Sequence, residues 1–233
     1  MNIAIMQPYI FPYIGYFQLV HSVETFVFYD DVNFIKRGWI NRNKILLGNK
    51  DFLITFPCIK ASQNKLIKDV GVDLSSKEYK KILNQIELAY RKAPFFNDVF
   101  PMIESVFNSK CESISDLASL SVTTIASYLE LSTRFLYSSK KFANSQGMEK
   151  ADRLIQITKE MNFESYVNAA GGVEIYSKEY FNENGVELRF LGSNLEQYSQ
   201  FNDTFVPNLS IIDVLMFNSK NATKDILSEY KLN

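Results

Sequence analysis

The chain has 233 residues, 46% of them hydrophobic and 14% aromatic, with a formal net charge of −1. That length and apolar content suffice for one large domain with a real core, or for a domain carrying an insertion, and the near-zero charge gives no general electrostatic reason to expect a nucleic-acid partner. No apolar run reaches the ~18 residues of a membrane span, and the start lacks a basic segment followed by a small-residue cleavage site, so a cytoplasmic protein without membrane insertion is expected.

Residues 3–6 are a short apolar run suited to a strand buried on both faces. Gln7-Pro8-Tyr9 breaks it, and Pro12 precedes a segment that reads as a helix over 14–22. Residues 25–29 form a second apolar run ending in Asp30 and Asp31. Strand, aromatic loop, helix and strand make one βαβ unit. Gly38-Trp39 and Asn41-Arg42-Asn43 then read as a basic loop or short helix, and DFLITFP over 51–57 as a third strand stopped by Pro57. Cys58 and Cys111 have no metal-ligand spacing and read as ordinary reduced side chains. Residues 68–73 suggest a short extended piece, and Ser75-Ser76 a helix cap.

From Lys77 the periodicity turns helical, with three helices in a row: one to about Tyr90, one over 97–107 and one over 115–130. They interrupt the alternation of strands and helices, so residues 76–131 are expected to form a helical subdomain and residues 1–75 with 132–233 an α/β domain. Alternation resumes with a strand over 134–137, the polar loop SSKKFANSQG, an amphipathic helix over 149–162 and a strand over 165–168. Ala170-Gly171-Gly172 opens onto a helix expected over 173–181, and Asn184-Gly185 ends it with a left-handed cap. A strand over 186–191, a helix from 208 to 216 and a short amphipathic helix complete the chain. This spacing predicts an α/β fold with a mainly parallel sheet.

In open parallel sheets ligands bind beyond the carboxyl ends of the strands. Gln7, Tyr9, Asp30 and Asp31 all fall on that rim, so the site is expected there. Neighbours on a strand point to opposite faces, so the two aspartates share a task only if the backbone turns. Either one orients an amine, hydroxyl or metal-bound water while the other caps the next turn, or both cap the strand end. Lys36, Arg37 and Arg42 lie with Trp39, the only tryptophan, within seven residues. Cations of that kind grip a phosphate or carboxylate and an indole stacks on a ring; a solvated basic face is the plainer alternative. Asn41 beside them suits a turn more than a ligand. Tyr13, Gly15 and Tyr16 sit in a stiff proline-flanked loop at a helix N-terminus, which favours an anion, or else plug the sheet edge. Asn168, Gly171 and Gly172 lie at a strand-to-helix turn whose amides could cradle a phosphate. His21, the lone histidine, falls at the far end of its helix and suits a C-terminal cation better than a catalyst. No metal cluster and no nucleophile–histidine pair is visible.

QPYIFPYIGYFQLV, FVFYDDVNFIKRGWINRNKI, YVNAAGGVEIY and LSIIDVLMFN, in this order, resemble the WbqC-like family over essentially the whole length. The resemblance implies a bacterial protein of surface-polysaccharide or O-antigen (lipopolysaccharide) synthesis. It further implies work on a nucleotide-linked amino sugar, by acyl or aminoacyl (for example glycyl) transfer. A nucleotide, or a donor bound to coenzyme A or an acyl carrier, is then the expected cofactor or partner. More loosely, Pro12 to Tyr16 resembles the place where nucleotidyltransferases and class I synthetase-like Rossmann folds carry HxGH, with Tyr13 and Tyr16 replacing the histidines. On this view Asp30 or Asp31 assists proton removal from the attacking amine, with Lys36 as a third catalytic group. The rival view is a binding module that holds the same ligand and makes no bond.

Overall fold

The computed structural model describes residues 1–194, 196–201 and 204–233. Strand β1 (Asn2–Met6) is its centre, because Ile3, Ala4 and Ile5 are apolar on both faces and need covering on both. Helix α1 (Ile14–His21) follows, then β2 (Thr25–Phe28), parallel to β1 with Ile3 opposite Thr25 and Met6 opposite Phe28. Seven of the eight residues of α1, Ile14 to Val20, are buried. The one amide among them, Gln18, donates its Nε2 to the carbonyls of Ile226 and Glu229, at 2.9 and 3.0 Å, near a helix end where carbonyls lack partners.

Strands β3 (Arg42–Leu47) and β4 (Lys50–Thr55) form an antiparallel hairpin. Residues 41–43 therefore do not form the expected loop or short helix: Arg42 and Asn43 open a strand. Gly48 and Asn49, at φ +60° and +68°, supply the two left-handed residues that a tight hairpin turn requires. β5 (Cys58–Ile59) and β6 (Gly71–Val72) make a minimal second hairpin. Helices α2 (Lys77–Tyr90), α3 (Phe96–Phe107) and α4 (Ile114–Tyr128) come next, with the Ser76 and Ser113 hydroxyls capping α2 and α4.

β7 (Arg134–Tyr137) adds to the far side of β2. The polar stretch after it is ordered as α5 (Ser138–Lys141) and a single turn over Ala143–Ser145, rather than an open loop. Helix α6 (Lys150–Glu160) then returns the chain to β8 (Ser165–Ala169), on the other side of β1. Ala170–Gly172 is one 3-10 turn, and α7 (Lys178–Glu183) starts only after Ser177, whose Oγ accepts from the Tyr180 N–H at 3.2 Å. The helix expected over 173–181 is thus displaced toward the better cap. β9 (Glu187–Ser193), α8 (Ile211–Phe217), α9 (Lys220–Leu227) and β10 (Tyr230–Leu232) complete the fold. β10 was not expected; it pairs antiparallel with β9.

The sheet order is β10-β9-β8-β1-β2-β7, parallel except for β10. Winding runs outward from β1 to β7, then reverses to β8 and β9. Side chains alternate along the strands. Ile3, Ile5, Val27, Tyr166 and Leu188 pack with α6 and with Phe181 of α7 on one face. Ala4, Phe26, Phe28 and Val167 pack on the other with α1, α8 and the three helices α2 to α4 in one continuous core.

Candidate functional site

The reversal of winding opens a crevice between the carboxyl ends of β1 and β8, where two crossovers leave on opposite faces of the sheet. A cleft of about 470 Å³ occupies it. β1 brings Gln7 and Tyr9 as it breaks at Pro8, with the Tyr9 hydroxyl 3.5 Å from Gln7 Oε1. β2 brings Tyr29, held by its N–H to the Met6 carbonyl at 2.8 Å. β8 brings Asn168, whose Oδ1 accepts from the Ala169 N–H at 2.9 Å and whose Nδ2 lies against Gly172. Gly172 is what makes room for that amide: a Cβ there would stand 2.9 Å from Asn168 Cγ and closer still to Nδ2. At Gly171 a Cβ would meet nothing within 4 Å, so backbone is laid open there. Lys150, the first residue of α6, brings the cation, and Tyr176 a further phenol.

Burial raises the pKa of Tyr9, Tyr29 and Tyr176 above the ordinary phenol value; for Tyr29 the neighbouring Arg153 opposes this. These hydroxyls therefore stay protonated at neutral pH. They offer donors, acceptors and ring faces, which is the chemistry that recognises sugar hydroxyls and flat rings.

Asp30 and Asp31 lie behind this wall, 2% and 3% exposed. The backbone does turn after β2, because both carboxylates reach Ser138: its Oγ is 3.1 Å from Asp30 Oδ1 and 2.5 Å from Asp31 Oδ1. Asp30 also accepts from the Ser139 N–H (3.0 Å) and hydroxyl (2.6 Å), capping the start of α5. Asp31 Oδ2 takes the Arg153 guanidinium at 2.6 Å, in an ion pair shielded from water. That guanidinium in turn lies over the Tyr29 ring, 4.8 Å from its centroid.

The remaining expected residues are dispersed. Lys36, Arg37, Asn41 and Arg42 line a second cleft, of about 340 Å³, floored by Phe34, Thr55 and Ala61. Ile35 lines the first cleft and Lys36 the second, so one loop contributes to both. Asn41 spends its Nδ2 on the Phe56 carbonyl at 2.9 Å. Trp39 is 45% exposed on the same loop. Tyr13 borders a third, smaller cavity with Tyr198. Tyr16 is buried, its hydroxyl donating to the Gln7 carbonyl at 2.9 Å. Gly15 lets the Tyr13 ring fold across the helix start, since a Cβ would sit 2.5 Å from it. Tyr13, Gly15 and Tyr16 are therefore not among the residues lining the first cleft.

Sequence reasoning did not single out Lys150 and Tyr176, which line this cleft, or Arg153 behind it. Asp213, in the first turn of α8, is likewise a buried carboxylate and accepts from Tyr90 (2.9 Å), Tyr198 (2.6 Å) and Gln200 (2.7 Å). A carboxylate within the apolar run IIDVLM was the available signal.

These features define a mixed α/β protein of general Rossmann-like architecture, with a largely parallel sheet and a phenol-lined cleft at the reversal of winding. The chain belongs to the WbqC-like protein family, whose model matches residues 7–225. It is also similar to Rv1507c, described as an uncharacterized protein, of Mycobacterium tuberculosis: the two are 28% identical over 233 residues, covering 97% of each chain. No solved structure matches. Among the described residues, no helix is long and apolar enough to cross a membrane.

Proposed function

We propose that the cleft between β1 and β8 binds a nucleotide-linked amino sugar and that the protein transfers an acyl or aminoacyl group, such as glycyl, to the sugar amine. The observation that carries this reading is the cleft itself: phenols, two amides, open glycine backbone and one lysine gathered at the point where doubly wound sheets bind ligands. The family assignment, which is consistent with an enzyme, supports it. Lys150 faces a phosphate, Asn168 and Gln7 fix hydroxyls, and Tyr9, Tyr29 and Tyr176 flank the ring. The amine nitrogen attacks the acyl carbonyl, a C–N bond forms, the bond to the leaving group breaks, and the ammonium proton passes to the leaving group or to water. We assign Asp30 and Asp31 a positioning role, because both are buried and Asp31 acts through Arg153 on Tyr29.

A second reading, binding without bond formation, is favoured by one observation: among the described residues no carboxylate and no histidine lines this cleft, so no ready proton acceptor among them faces the ligand. Calorimetric titration with UDP- and dTDP-linked amino sugars, followed by mass spectrometry after adding acyl donors, separates the two. Binding with a mass gain of one acyl group supports transfer. Binding with no product from any donor supports the module, and no binding at all removes both.

A further inference from the structure

The second cleft differs in chemistry from the first. Lys36, Arg37 and Arg42 converge on it, and none of its lining residues among those described is acidic. None of the three makes an ion pair with any described carboxylate, whereas six other ion pairs do form among the described residues. Three like charges held together without a counter-charge repel one another, and an anion relieves that repulsion. The loop is also fixed in place. Phe34 and Ile40 are buried anchors at its ends, the Phe34 N–H bonds the Lys65 carbonyl at 2.8 Å, and Arg42 Nε bonds the Gly38 carbonyl at 3.1 Å. Arg37 is held at φ +61°, a conformation rare outside glycine that recurs at binding sites. On the same loop Ile35 and Trp39 remain 49% and 45% exposed.

We infer that this cleft is a separate site for an anionic phosphate group, that of the acyl donor, with Lys36, Arg37 and Arg42 binding the oxygens and Trp39 on the same loop. The donor's identity rests on the acyl-transfer reading; the phosphate site does not. Donor and acceptor then occupy two clefts to which one loop contributes, Ile35 to the amino-sugar cleft and Lys36 to the phosphate cleft.

Trp39 is the only tryptophan and lies on the loop that carries Lys36 and Arg37, so its fluorescence reports on that loop. The intact protein is titrated with pyrophosphate, coenzyme A and a phosphopantetheinylated acyl carrier protein, with calorimetry in parallel. Saturable quenching is expected with pyrophosphate and with at least one of the other two, and which one identifies a soluble or a carried donor. In a Lys36→Gln/Arg37→Gln variant affinity should fall at least about tenfold, as loss of two charge-assisted contacts requires, while amino-sugar binding is unchanged. Gly172→Ala should do the reverse. Equal phosphate affinity in wild type and the double variant, or no saturable response to any of the three, overturns the inference. If the amino sugar still binds in that case, the proposed function survives it.

Discussion

The Asp31–Arg153 pair is almost wholly out of water and 2.6 Å apart. Desolvating both ions costs several kcal/mol, and their attraction offsets this only while both are present. Arg153→Met should therefore cost about 3–5 kcal/mol in urea unfolding, and adding Asp31→Asn should recover part of it. A cost under ~1 kcal/mol would mean that the pair is hydrated in solution. Gly172→Ala forces the Asn168 amide aside at about 1–3 kcal/mol, whereas Gly171→Ala, with open space around it, should leave the melting temperature unchanged. Of this residue-level detail, the carboxylates at a strand end and the paired glycines were readable. Arg153 was not, because its partner lies 122 residues away and a basic residue in an amphipathic helix reads as solvated.

At the scale of elements, Asp213 of α8 pins the chain at Tyr198 and Gln200 through their side chains. Asp213→Asn places an amide where two donors need an acceptor, so it should free this stretch and make it a protease site, at about 1–3 kcal/mol. Loss of hydration holds the Asp213 carboxyl above its ordinary 3.8 even though its three donors oppose this. Its contribution to stability is thus complete below 3.8 and falls away as pH rises through the folded-state value. Urea midpoints across acid to neutral pH should show that decline in wild type and not in Asp213→Asn. Residues 76–131, proposed from sequence as a helical subdomain, share one core with the sheet, and we expect the excised segment to be molten, by near-ultraviolet dichroism. Elements with continuous apolar runs or serine caps were legible: β1, β2, α2, α4 and α6 fall where periodicity put them. β3 was hidden by its charged start, β10 by its length of three residues, and α7 by a glycine pair that drew attention from Ser177.

For the whole molecule, the alternation of strands and helices was enough to foresee a mainly parallel sheet with a ligand rim. It could not give the order β10-β9-β8-β1-β2-β7, which depends on which face each crossover takes. That order decides where the proposed site lies. It gathers Gln7, Tyr9, Asn168, Gly171 and Gly172 at one crevice and sends Lys36, Arg37 and Arg42 to another, so residues that looked like one site in sequence divide into two clefts that share a loop. The most direct measurement is amide hydrogen exchange with and without a saturating UDP- or dTDP-linked amino sugar. Slowed exchange confined to residues 5–9, 29 and 166–176 is the predicted result. Slowing confined to residues 34–42, with the β1–β8 crevice unaffected, would contradict the account.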